Sequence, residues 1–239
     1  MAERFPINER TLLGARYFDN LTADQRHEVV QRCMGRRYRP REVIVSQCTR
    51  RRDVYFIISG EVRVAHANES GRETTLRALY AGACFGELAA LDGECRSADV
   101  VAKTETSVLV LSQEHFVDIL GEYPGFAAAI MQHLARLVRG LTARVVEFST
   151  LSVDHRIRAE ILRMADAVGV VNNQAVVNAP PTHAEIAARV STHREAVARE
   201  ISHLQKLGMI RCERRTWRIV DVTSIRHRMG AGPEIAPAV

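Results

Sequence analysis

The 239-residue sequence predicts an α+β protein: an antiparallel β barrel, then one long helix, then a small helical domain closed by a β-hairpin. Three observations carry this. Short β-rich runs separated by turn residues fill roughly 37–112, an apolar stripe at helical spacing follows Pro124, and two short helices with a hairpin-like segment follow Pro180 and Pro181.

In chain order, residues 9–35 read as short helices, with Thr22 an N-cap and Gln25 its capping-box partner three residues on. The β-rich runs are 42–45, 53–58, 61–64, 74–79, 98–102 and 107–111. Ser59-Gly60, Glu69-Ser70-Gly71, Gly82 and Asp92-Gly93 separate them, and strands at this spacing predict a sandwich or jelly-roll barrel. The segment Gly82–Ala90 interrupts the strand series, so its helix-forming 87–91 is expected to cap a pocket in the barrel. After Pro124, Ile130, Leu134, Leu137, Leu141, Val145 and Phe148 recur at spacings of 4, 3, 4, 4 and 3, one stripe of a helix running to about 150. Such a stripe fits a single helix packed on its own barrel or a dimer seam; its length and near-heptad spacing favour the seam.

A second helix is expected from Asp154 through Ala165, then a loop or short hairpin over 170–181. Helices over 182–190 and 192–207 meet at a turn around Ser191, with Gly208 as the stop. Met209–Asp221 reads as a hairpin, and the tail from Gly230, with Pro233 and Pro237, as disordered.

Composition narrows the class. Hydrophobic residues make up 46% and charged residues 26%, ordinary for a globular protein, and no apolar run is long enough to span a bilayer. The polar, mixed-charge opening from Met1 to Arg10 is unlike a secretory signal, so a cytoplasmic protein with no membrane partner is expected. Cysteines 33, 48, 84, 95 and 212 are scattered and odd in number, which argues against disulfides, structural zinc and iron–sulfur clusters. They read as small buried hydrophobes. Of the net charge of +5, the surplus gathers between Arg189 and Arg218, where eight basic residues face three acidic ones, the pattern of a polyanion partner or of a solvated surface.

Chemistry concentrates in Gly82–Ala90 with Arg96-Ser97-Ala98. Gly86 permits a tight turn and close approach to a ligand, Glu87 accepts hydrogen bonds from hydroxyls, and Arg96 offers a planar fork suited to phosphate. The Ser97 hydroxyl and the amides of Ser97 and Ala98 complete an anion cradle. A ligand with one phosphate and a nearby sugar hydroxyl satisfies all of these groups, as a cyclic nucleotide does.

Thr182–Ile201 fits a helix-turn-helix, with Ile186, Val190, Val197 and Ile201 inward and Ala187 at the close crossing. Arg194, Glu195 and Arg199 lie on the N-terminal turns of its second helix, where arginine can meet guanine O6 and N7 and glutamate can accept from cytosine N4. An amphipathic helix pair with intrahelical salt bridges is the plainer reading.

Gly86-Glu87-Leu88 with Arg96-Ser97, the long helix, and Arg194-Glu195-x-x-x-Arg199, in that order, resemble the Crp/Fnr transcription regulators, cyclic AMP receptor protein branch, over roughly 10–222. The resemblance implies a jelly-roll cyclic-nucleotide-binding domain (1–123), a dimerisation helix (124–152) and a C-terminal winged helix-turn-helix (153–239). It implies that Glu87 holds the ribose, Arg96 and Ser97 the cyclic phosphate, and Arg194, Glu195 and Arg199 the bases, with Thr182 and His183 near DNA phosphates. Leu141 and Thr142 stand where the relatives carry two adjacent hydroxyl residues that read the purine, so one polar contact is lost. His193 and Ala196 likewise replace hydroxyl residues beside the base-reading arginine. The expected ligand is cyclic AMP, or cyclic GMP, with no metal. The expected partners are double-stranded DNA as a palindromic operator, a second copy of the chain through the long helix, and RNA polymerase. Two rivals remain: a regulator of the same family answering another signal or constitutively active, and a cupin-type barrel enzyme, disfavoured because His66 is the only histidine within 37–112. The protein is therefore expected not to be an enzyme.

Overall fold

The computed structural model describes residues 3–67 and 73–229. The turn expected at 69–71 and the tail expected from 230 lie outside them. The chain forms two compact units, Met1–His133 and Leu134–Val239.

The first unit opens with β1 (Glu3–Phe5), α1 (Glu9–Leu12), a 3-10 turn (Arg16–Phe18) and α2 (Ala23–Arg32). Thr22 caps α2, its side chain accepting from the Gln25 amide while Gln25 reaches back to the Thr22 amide, so both helix-end donors are satisfied. The strands follow as β2 (Cys33–Tyr38), β3 (Val43–Val45), β4 (Val54–Ser59), β5 (Glu61–Ala67), β6 (Glu73–Tyr80) and β7 (Cys84–Phe85). Then come α3 (Glu87–Asp92), β8 (Asp99–Ala102), β9 (Thr106–Leu111), α4 (Gln113–Glu122) and the start of α5 (Pro124–Thr150). Helix α2 ends three residues before the expected limit because Cys33–Tyr38 alternates buried and exposed residues and pairs with β9. That strand, β1 and α4 were not anticipated.

Two antiparallel sheets, ordered β1-β2-β9-β4-β7 and β3-β8-β5-β6, supply one shared apolar core. Strand β4 is buried on both faces, which explains its unbroken apolar run: Tyr55 and Ile57 join the core between the sheets, and Phe56 packs with Phe18 and Phe126 on the other side. Phe126, on the first turns of α5, stacks 5.3 Å from Phe18 and meets Phe116 of α4 edge-on. Each such ring contributes roughly 1.5–3 kcal/mol by burial.

The second unit takes the rest of α5, then α6 (Val153–Val168), β10 (Ala175–Asn178), α7 (His183–Arg189), α8 (Arg194–Lys206), β11 (Ile210–Glu213), β12 (Thr216–Ile219) and α9 (Val222–His227). The segment read as a loop or hairpin over 170–181 instead sends Ala175–Asn178 to pair with β12, giving a three-stranded sheet ordered β10-β12-β11. Its pairing is across forty residues, so nothing local announces it. Ile186, Ala187, Val190, Val197 and Ile201 are all buried in the core of this unit.

A buried ion cluster lies within the second unit. Glu160 of α6 accepts from Arg163 Nε and from Arg189 Nη1, each at 3.0 Å, and Arg163 Nη1 donates to Glu147 of α5 at 2.7 Å. Arg144 Nη1 adds a bond to the Arg189 carbonyl at 2.7 Å. These contacts tie the last turns of α5 to α6 and to the residue that ends α7.

The cysteines divide: Cys33 and Cys84 are buried as expected, Cys212 is half-buried, and Cys48 and Cys95 are exposed, contrary to the reading of all five as core residues. The latter two sit on loops flanking β3 and β8 rather than on inward strand positions.

Candidate functional site

Strand β7 runs into Gly86, whose φ of +88° lets the chain turn sharply and start α3 at Glu87. Gly86, Glu87, Leu88, Arg96, Ser97 and Ala98 line one cavity. Arg96 is only 4% exposed, its Nη1 donating to the Gly86 carbonyl at 2.9 Å and its Nη2 to the Asp53 carbonyl at 2.6 Å. Its Nε is buried without a partner among the described residues. The guanidinium lies 5.9 Å from the centre of the Tyr55 ring, which stacks flat on Phe85 at 4.9 Å. Burial lowers the Arg96 guanidinium from its ordinary value, and burial pushes the Tyr55 hydroxyl up to about 12. A cation that donates to two neutral carbonyls and leaves one N–H idle is fitted to exchange them for an anion, since charge-assisted bonds are the stronger ones.

Glu87 is 2% exposed and its Oε1 lies 3.3 Å from His133 Nε2, while His133 Nδ1 lies 3.1 Å from the Tyr17 hydroxyl. In the tautomer that satisfies both contacts, Tyr17 donates to Nδ1 and Nε2–H donates to the carboxylate. Burial raises the Tyr17 hydroxyl above its ordinary value, which keeps it a neutral donor. His133 thus orients the carboxylate. It follows Ile130 by three residues on the α5 stripe, the only sequence signal that pointed to it.

The free space is about 50 Å³, far below the roughly 300 Å³ and more of ordinary ligand sites. A ligand as large as the expected cyclic nucleotide would need lining side chains to move. A Cβ at Gly86 would fall 2.6 Å from Arg96 Nη1 and 2.8 Å from the Asp53 carbonyl. Gly86→Ala is accordingly expected to destabilise the protein by roughly 1–3 kcal/mol through the left-handed backbone, checked by urea unfolding, and to displace Arg96.

Val45, Val64, Val100 and Arg77 line the same cavity and were missed from sequence. Arg77 was findable by parity alone, being two residues from the buried Leu79 and hence on the same face of β6.

In the second unit Thr182 caps α7, its Oγ1 accepting from the Glu185 amide at 3.2 Å, and the His183 ring lies 6.2 Å from that of Trp217. His193 is the N-cap of α8 without a side-chain bond, and His193, Arg194, Glu195 and Arg199 are all exposed. Arg158 of α6 donates to the buried Glu200 at 2.6 Å, which fixes the inward side of α8 while the outward side stays open. Ser202, His203 and Lys206 continue that outward side beyond Arg199, at the i+3, i+4 and i+7 positions. Leu141 is 58% exposed, and the Thr142 hydroxyl donates to the Val138 carbonyl at 3.0 Å. Among the described residues no group of three His, Cys, Asp or Glu could hold a metal ion, and no helix is long and apolar enough to cross a membrane.

Comparison with known proteins adds to this geometry. Residues 35–123 match the family described as cyclic nucleotide-binding domain, and residues 155–228 the family described as Crp-like helix-turn-helix domain. The chain is 26% identical over 193 residues to the cAMP-activated global transcriptional regulator Vfr of Pseudomonas aeruginosa, spanning 79% of this chain and 90% of Vfr. It is 26% identical over 185 residues to the cAMP-activated global transcriptional regulator CRP of Salmonella typhimurium, spanning 77% and 88%. Its fold is similar to a CooA mutant from Carboxydothermus hydrogenoformans, with a TM-score of 0.75 at 21% identity over 95% of this chain and 98% of that one. It is also similar to a CRP-family transcriptional regulator from Thermus thermophilus, with a TM-score of 0.67 at 27% identity over 84% and 99%.

Proposed function

Because the chain belongs to the Crp/Fnr family of DNA-binding transcription regulators and carries a cyclic nucleotide-binding domain, we propose that a cyclic mononucleotide is the signal that turns its DNA binding on. The observation that carries this reading is Arg96, buried with an unpartnered Nε in one cavity with Glu87. The phosphate takes Arg96, Ser97 and the backbone of Leu88 and Ala98, Gly86 allows its close approach, and the ribose hydroxyl donates to Glu87. Leu141 and Thr142 stand at the positions that the family resemblance places against the base, where Thr142 alone has a hydroxyl to offer it. Vfr and CRP are described as cAMP-activated, which makes cyclic AMP the first ligand to test and cyclic GMP the second.

The protein works in this reading as a homodimer. Leu141, Val145 and Phe148 leave an apolar stripe of α5 exposed, with Val145 at 64%, and a second copy covering it would place two α8 helices one DNA turn apart on a palindromic operator. Arg194, Glu195 and Arg199 read the bases, with His193, Thr182 and His183 toward the backbone, RNA polymerase as the downstream partner and the cytoplasm as the setting. Ligand acts by population shift, favouring the DNA-competent state by its differential affinity for that state.

Titration calorimetry of cyclic AMP and cyclic GMP tests the ligand. No heat from either would favour the second reading, a regulator of this family with another signal or none, for which the cavity of about 50 Å³ speaks. For the DNA face, Arg194→Ala is expected to weaken a selected operator by roughly 5- to 150-fold, the worth of one bidentate base contact, while leaving non-specific DNA binding nearly unchanged. An unchanged operator shift in a mobility assay would remove Arg194 from the base readers.

A further inference from the structure

The register of the four-stranded sheet places four cavity residues in one line. Val45 pairs with Val100, Val100 with Val64, and Val64 with Arg77, so the row crosses β3, β8, β5 and β6 in order. Its first three members are buried valines. Its last is a guanidinium on an edge strand, and Arg77 Nη1 is buried without a hydrogen-bond partner among the described residues. The β5–β6 register shifts between Val64 and Ala65, directly beside Arg77, and such irregularities re-aim side chains next to binding sites.

Two arginines thus serve one cavity in different company. Arg96 stands among Gly86, Ser97 and Ala98, where amides and a hydroxyl add donors, an environment for phosphate. Arg77 terminates an apolar row. A flat ring laid on the valines buries its faces there and turns one polar edge to the idle guanidinium nitrogen.

We propose that Arg77 reads the base of the bound cyclic nucleotide and that the base it selects is guanine. This rests on the cyclic nucleotide reading above. Guanine presents two adjacent acceptors, O6 and N7, that match the arginine fork; adenine presents N7 beside an N6 amino group, which sets a donor against the donors of Arg77. The cavity therefore favours cyclic GMP, although the curated relatives carry cyclic AMP in their names.

The test is calorimetric titration of the full chain with cyclic GMP, cyclic AMP and cyclic IMP, for wild type, Arg77→Ala and Arg77→Lys, each checked for fold by circular dichroism. Wild type is expected to bind cyclic GMP roughly 5- to 150-fold more tightly than cyclic AMP. Cyclic IMP, which keeps O6 and N7 but lacks the 2-amino group, should follow cyclic GMP. Arg77→Ala should bring the cyclic GMP to cyclic AMP ratio near one by weakening cyclic GMP alone. Arg77→Lys keeps the charge without the fork, so its ratio should fall as well, and it serves if the alanine variant does not fold. A wild-type preference for cyclic AMP, or a ratio that neither variant alters, overturns the proposal. Equal weakening of all three nucleotides also overturns it, by assigning Arg77 to the phosphate. If wild type binds none of them, the ligand reading itself fails, a result distinct from these.

Discussion

Arg96→Leu is expected to weaken cyclic nucleotide binding by about 3 kcal/mol, roughly 150-fold, because it removes the one cation that the Gly82–Ala98 segment, the anion cassette, holds ready for the phosphate. The guanidinium is buried, donates to the neutral carbonyls of Gly86 and Asp53, and keeps Nε without a partner among the described residues. Leucine restores neither the charge nor the fork. It also strips those two carbonyls of a donor, at roughly 1–3 kcal/mol for each left buried and unpaired, so the variant should melt earlier than wild type. Calorimetry below its melting temperature separates the two effects. Unchanged affinity in a folded Arg96→Leu protein would mean that the anion binds elsewhere.

Glu160→Ala should destabilise the second unit by about 3–5 kcal/mol, because it leaves Arg163 and Arg189 without their shared carboxylate. Arg144 lies 3.9 Å from the same carboxylate, so a third cation loses its counter-charge. Glu160→Gln keeps the shape and should cost less. Burial by itself would raise the Glu160 carboxyl, but Arg163, Arg189 and Arg144 outweigh it and hold the group below the usual carboxylate range. A depressed folded value means that the stabilisation is fully present above the unfolded carboxyl pKa of about 4.3 and is lost as pH falls through the folded value. Denaturant unfolding of wild type and Glu160→Gln should therefore show a gap that is constant near neutrality and closes in acid. A gap that widens on acidification would contradict the ion cluster as described.

Arg189 also ties that cluster to the helix pair. It ends α7, directly before the turn into α8, while Glu147 and Arg144 belong to the last turns of α5. These contacts join the last turns of α5, through Arg163 and Glu160 of α6, to the end of α7.

Much of this was legible in the amino-acid order because it is set within a few residues. The Thr22–Gln25 box, the inward set of Ile186, Val190, Val197 and Ile201, and the cassette around Gly86 all follow from torsional preference, helical period or adjacency, which act over about four residues. The fold class follows from the same local periods. Tertiary structure alone decided the rest. It brought Val45, Val100, Val64 and Arg77 into one row, set Tyr17 and His133 behind Glu87, gave β10 to β12, and left Cys48 and Cys95 exposed. Strand register and burial depend on partners tens of residues away, and a one-residue slip sends a side chain to the opposite face of its sheet. The sequence could thus single out Arg96, which stands in its own motif, but only the pairing of β5 with β6 could bring Arg77 to the same cavity.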